Sequence, residues 1–217
     1  MLLRVVDRLA LGFSLALLSA GVANAIPLPD SQGALINTLG NVGNFSPPPY
    51  NVGWQFDLSA SYDVTHLGYL DEGTNGFSEV HDVGIFACTT PACTASAGLI
   101  VSASVTSLDP LQNGFRWVTV PTVTLGAGSY IVNGTAGTEL YQWSGGSVTF
   151  DPSVTWVAGR YEGTAALVFP TLVNPNPPIS YFGPNFGTTV IPEPGTIALF
   201  ASGLVILGLR RRNRWHS

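Results

Sequence analysis

Val52-Gly53-Trp54-Gln55-Phe56-Asp57-Leu58 and, after a short break, Tyr62-Asp63-Val64-Thr65-His66-Leu67-Gly68-Tyr69-Leu70 decide the fold. Both runs are rich in Val, Thr and aromatic residues, which fit a pleated, half-buried surface. Runs of the same kind recur at 80–88, 99–105, 115–120, 122–125, 129–132, 147–150 and 154–157, with 164–169 behind them, and Gly, Asn, Asp and Pro separate them. No stretch sustains the 3.6-residue period of a helix. Short strands joined by Gly-rich turns over this length predict an all-β domain at 51–187, a two-sheet β-sandwich or a jelly roll. Upstream, 26–50 is rich in Gly, Asn and Pro and reads as an irregular lead-in. Within it, Leu35, Ile36 and Leu39 suit either one helical turn or an edge strand.

Neither end of the chain belongs to that fold. Arg4 and Arg8 precede an apolar run at 9–18, and Ala23-Asn24-Ala25 supplies a small-x-small cleavage site. This predicts a secretory signal peptide at 1–25, removed by signal peptidase to leave Ile26 at the new N-terminus. At the other end a linker at 188–191 leads into Pro192-Glu193-Pro194-Gly195. An uncharged stretch to Leu209 and then Arg210-Arg211-Arg212-Asn213-Arg214 follow without a spacer. Residues 195–209 make roughly 22 Å of helix at about 1.5 Å per residue, short of the ~20 residues of a comfortable span. Bilayer thinning and arginines whose stems lie along the apolar core can close the gap. The arginines at the C-terminal end predict a cytoplasmic tail, with everything before Pro192 outside.

Removing both ends changes the electrostatics. The chain has no lysine, and of eight arginines only Arg116 and Arg160 lie in 26–191. Thirteen acids less Asp7 and Glu193 leave eleven, so this region carries 2 − 11 = −9. Nucleic acid is thereby excluded as an expected partner, because phosphate binding rests on clustered Lys and Arg.

The tail resembles the PEP-CTERM sorting signal of exported bacterial proteins. The resemblance rests on Val190-Ile191-Pro192-Glu193-Pro194-Gly195, the apolar run and Arg210, Arg211, Arg212 and Arg214, and spans 192–217 as a domain. It implies processing by exosortase, a membrane-embedded cysteine transpeptidase-like enzyme, with Pro192, Glu193 and Pro194 as the sorting motif and the arginines as the stop signal. It also implies an association with exopolysaccharide and biofilm. The body resembles a β-sandwich domain of unknown function that recurs in such proteins. That second resemblance rests on Leu67-Gly68-Tyr69-Leu70-Asp71, Asn75-Gly76-Phe77, His81-Asp82-Val83-Gly84-Ile85-Phe86, Gly114-Phe115-Arg116-Trp117-Val118, Leu125-Gly126-Ala127-Gly128-Ser129-Tyr130 and Tyr181-Phe182-Gly183-Pro184-Asn185-Phe186.

Two local patterns invite chemistry. Cys88 and Cys93 bracket a turn containing Pro91, and in an exported chain they are expected to form a disulfide clamp. The acid-rich run 71–82 places Asp71, Asn75 and Asp82 at positions 1, 5 and 12 of an EF-hand-like loop, with Gly73 where a ligand belongs. It reads either as a calcium loop between strands or as a solvated turn. Trp54, Trp117, Trp143 and Trp156 suit a core, and they are also the residue type that lines sugar-binding faces. No cofactor other than calcium is implied. Three functions follow in order: a non-enzymatic protein of the cell surface or extracellular matrix; a carbohydrate-binding module, calcium-assisted in one form; and an extracellular hydrolase. For the last, Glu79, Glu139 and Glu162 offer carboxylates, but no spacing singles out a pair.

Overall fold

The computed structural model describes residues 33–38, 40–44, 49–144, 147–174 and 180–188. The signal-peptide segment, the sorting motif at Pro192, Glu193 and Pro194, the apolar run and the arginine tail lie outside the described residues. Apart from one short 3-10 turn, all the regular structure described is strand. In chain order the strands are β1 (Leu35–Thr38), β2 (Asn41–Gly43), β3 (Asn51–Leu58), β4 (Tyr62–Leu70), β5 (His81–Cys88), β6 (Ser96–Val105) and β7 (Leu111–Gln112). They continue as β8 (Phe115–Leu125), β9 (Gly128–Thr135), β10 (Tyr141–Ser144), β11 (Ser147–Phe150), β12 (Val154–Glu162), β13 (Leu172–Asn174) and β14 (Pro184–Gly187). A short 3-10 turn, Glu72–Thr74, follows β4. Among the described residues no helix is long and apolar enough to cross a membrane.

Two antiparallel sheets carry the body, as the strand-rich sequence predicts. One has six strands in the order β13-β12-β3-β9-β5-β6, and the other four in the order β14-β4-β8-β7. Two short pairs, β1-β11 and β10-β2, flank them. The hydrophobic effect joins the sheets: Trp54 and Phe56 of β3, Ile85 of β5 and Val132 of β9 pack with Leu67 and Tyr69 of β4 and Phe186 of β14 in one cluster. Its centre is aromatic. Phe186 stacks on Phe56 at 4.6 Å and on Trp54 at 5.7 Å, and the Trp54 indole N–H donates to the Pro184 carbonyl at 2.9 Å, crossing from one sheet to the other.

Three departures from the sequence reading have physical reasons. First, the body begins before Asn51. Leu35 takes the edge-strand alternative, pairing with Phe150 in the β1-β11 ladder, and Ala34 and Leu35 are buried in the main core. Asn185, itself fully buried, holds them there: its Oδ1 accepts from the Leu35 amide at 3.2 Å and its Nδ2 donates to the Leu35 carbonyl at 2.9 Å. Second, the break expected at Pro121 is absent, and β8 runs through it. Opposite it, β4 pairs Val64 with Val123 and then His66 with Thr119, so Pro121 occupies a bulge where no ladder N–H is needed. Third, 164–169 joins no sheet. It is a strap across the six-stranded sheet whose alternate carbonyls, at Thr164, Ala166 and Val168, accept from the side-chain amides of Asn51 and Asn133. The segment reads as a strand because it is hydrogen-bonded like one, but to asparagine side chains in place of a neighbouring backbone.

Candidate functional site

The disulfide forms as expected between Cys88 and Cys93, with Cα atoms 4.9 Å apart. Closing so short a loop contributes about 2 kcal/mol by chain entropy. A second consequence was not visible in the sequence. The clamped loop turns two carbonyls toward the six-stranded sheet: Pro91 accepts from Gln55 Nε2 and Ala92 from the Arg160 guanidinium, each at 2.8 Å. Arg160 is buried and also donates to Gln55 Oε1. Burial pushes its pKa down. A buried cation is thus held by amide and carbonyl oxygens, and the disulfide fixes two of those oxygens in place.

The acid-rich loop is organised by a cation from the chain itself. Asp71 is buried, its Oδ2 lies 2.7 Å from Arg116 Nε, and both carboxylate oxygens accept from the Gly76 amide at 3.1 Å. Arg116 then reaches the Ser107 and Asp109 carbonyls at 2.6 and 3.0 Å. Asn75 ends the 3-10 turn and is exposed. Asp82 sits on the exposed side of β5 and accepts from Ser104 Oγ at 2.6 Å. The oxygens proposed for calcium are therefore spread over a buried ion pair, a turn and a strand surface. Among the described residues no group of three His, Cys, Asp or Glu side chains is placed to hold a metal ion.

Beside this loop, Glu79 and Glu139 come together as a reciprocal brace. Glu139 Oε1 accepts from the Ser78 amide and hydroxyl at 2.7 and 2.6 Å, and Glu79 Oε1 from the Thr138 amide and hydroxyl at 2.5 and 3.0 Å. The Glu79 carboxylate lies so closely over Gly137, at φ +54°, that any Cβ there collides with it. Behind the brace His81 is buried and stacked on Tyr69 with ring centroids 4.1 Å apart. Its Nδ1–H donates to the Thr135 carbonyl at 2.7 Å, which leaves Nε2 buried without a partner. Burial pushes the pKa of His81 down, against that hydrogen bond and the nearby Glu139, Glu79 and Asp82, which pull it up. Burial likewise raises Tyr69, helped by Tyr141, Glu139 and Glu79. The other body histidine, His66, lies within hydrogen-bond distance of Thr65 and Thr119. Glu162 is engaged by the Thr171 hydroxyl and amide, at 2.6 and 3.0 Å, which lower its pKa.

The tryptophans divide. Trp54 and Trp117 are core; Trp117 lies against Gly68, where a Cβ would come within 2.7 Å of the indole. Trp156 donates to Ser180 Oγ at 2.9 Å. Trp143 is different, with 44% of its surface exposed. It occupies the irregular step of the β10-β2 ladder, where Gln142 pairs with Val42 and Ser144 with Asn41. A bulge of this kind re-aims a side chain out of the strand's alternation. The indole borders an open cleft of about 280 Å³ lined by Val42, Gly43, Asn44, Tyr141, Trp143 and Tyr181. The two tyrosines are buried and meet edge to face at 5.7 Å. Sequence reasoning named Trp143 but could not separate it from the core tryptophans, because the bulge that exposes it depends on a pairing with residues of the lead-in.

Compared with known proteins, residues 190–212 match the family model of the PEP-CTERM protein-sorting motif. No curated protein and no solved structure matches the chain. A tail of this type marks an exported protein that carries a C-terminal membrane-anchoring sorting signal and is processed by exosortase-type machinery.

Proposed function

We propose that this chain, exported and sorted through its PEP-CTERM tail, is a non-enzymatic protein of the cell surface or extracellular matrix that associates with exopolysaccharide. The observation that carries the reading is the match at 190–212, immediately behind a body whose last described strand ends at Gly187. The chemistry of the body supports the non-enzymatic part. Asp71, Glu79, Glu139 and Glu162 each accept hydrogen bonds that fix a turn or brace a loop. Both body arginines tie backbone carbonyls together. The second reading, carbohydrate binding, is favoured by one observation, the exposed Trp143 at its cleft.

The tail is testable in parts. Pro192 and Pro194 restrict the backbone on either side of Glu193, so a sorting enzyme meets an extended segment with one charge to read. In a host that carries an exosortase, Glu193→Ala leaves export intact and lets the unprocessed form accumulate in the membrane fraction. Neutralising Arg210, Arg211, Arg212 and Arg214 together removes the stop, and the short apolar run slips through. Fractionation with an epitope inserted after Pro29 separates these outcomes. Normal processing of the Glu193 variant would defeat the exosortase-substrate reading.

A further inference from the structure

We infer that the Trp143 cleft is a binding site for one ring of a neutral pyranose. This deepens, and rests on, the exopolysaccharide association proposed above. Four observations converge on it. The Trp143 ring is exposed, and among the described residues it has neither a ring partner nor an acceptor for its N–H. Gly43 lies beside it in the cleft lining, and an added Cβ there would sit 3.4 Å from the indole Cδ1 and Nε1, so the glycine keeps that part of the ring uncovered. Asn44 is anchored by Nδ2 donating to the Gly137 carbonyl at 3.1 Å, while its Oδ1 is buried and has no partner among the described residues. Finally, the bulge in β10 is the local irregularity that turns this side chain outward.

The ligand class follows from what such a wall leaves unsatisfied. A hydrocarbon chain would cover the indole and strand its N–H away from water, at a cost comparable with a lost hydrogen bond. A pyranose meets that need: its C–H face packs on the ring, and its hydroxyls accept from the indole N–H. The size also fits, since about 280 Å³ lies just below the ~300 Å³ at which pockets for larger ligands begin. That leaves room for one ring or a chain end. A net charge of −9 on 26–191 repels uronates and phosphorylated sugars, which selects neutral rings.

The test uses the full chain in a zwitterionic, sugar-free detergent. Methyl glucoside, methyl galactoside and methyl mannoside, their tetrasaccharides and galacturonate are titrated by tryptophan fluorescence and saturation-transfer NMR. At least one neutral sugar is expected to saturate with Kd on the order of 1 mM. Trp143→Ala should weaken it at least about tenfold while leaving the melting temperature within about 2 °C of the parent. No saturable response up to about 20 mM overturns the proposal, as does equal binding by the Trp143→Ala variant or a preference for galacturonate. A failed titration with normal tail processing removes the site and leaves sorting standing. Sugar binding with a tail that is never processed does the reverse.

Discussion

Trp54→Ala is expected to destabilise the domain by about 3–5 kcal/mol, the usual cost of emptying a large aromatic site in a packed core. The site offers little room to relax. Trp54 is fully buried and meets Phe56, Phe150, Phe182 and Phe186 at centroid distances between 5.2 and 6.0 Å. Those rings come from four different strands or segments, so a shift that closed the cavity for one would open it for another. The substitution also strands the Pro184 carbonyl, which accepts from the indole. Against a total stability of roughly 5–15 kcal/mol, the variant should melt at least about 10 °C lower or fail to accumulate. Trp54→Phe keeps a six-membered ring but loses the pyrrole half of the indole and its hydrogen bond, at a smaller cost of about 2–3 kcal/mol. Denaturant melts of the two variants rank these losses. If Trp54→Ala melts within about 2 °C of the parent, the two-sheet core described above is wrong.

Arg116→Met should cost about as much, about 3–5 kcal/mol, for an electrostatic reason. The Asp71 side chain is 1% exposed and that of Arg116 14%. Removing the guanidinium therefore leaves a carboxylate out of water with, among the described residues, the Gly76 amide as its remaining hydrogen-bond donor. It also frees the Ser107 and Asp109 carbonyls that Arg116 gathers. The double variant Asp71→Asn with Arg116→Met removes the stranded charge and should recover part of the loss. A double-mutant cycle measures that coupling. Equal losses in the single and the double variant would show that the ion pair does not organise this loop, and would reopen the calcium reading of 71–82.

The strand content was legible because Val, Thr and aromatic runs between Gly and Asn breaks have few other places to go. The reading missed β2, β7, β10, β13 and β14, all of four residues or fewer, and β2 and β10 show why. They are stabilised by pairing with each other and by Phe182, whose amide donates to the Gln142 carbonyl at 2.9 Å. That support is long-range and leaves no local trace. The strap at 164–169 misleads for the opposite reason, since its residues are strand-like and its partners are Asn51 and Asn133 side chains. The acidic run stayed open in the sequence because a cluster of carboxylates looks the same on paper whether its counter-charge is a metal ion or Arg116. Forty-five residues separate Asp71 from that arginine, and only the pairing of Tyr69 with Arg116 across β4 and β8 brings them together. The disulfide was legible from two cysteines and a proline, but its service to Arg160 was not. Tail and body were read by different means, the tail from the order of its three parts and the body from composition and spacing.

The central proposal is that this protein is exported and then released from its tail by sorting. The most direct measurement is the intact mass of the wild-type chain recovered from the outer surface or matrix of an exosortase-bearing host. The predicted species begins at Ile26 and lacks the arginines at 210–214. A surface species that retains those arginines, or one that still begins at Met1, would contradict it.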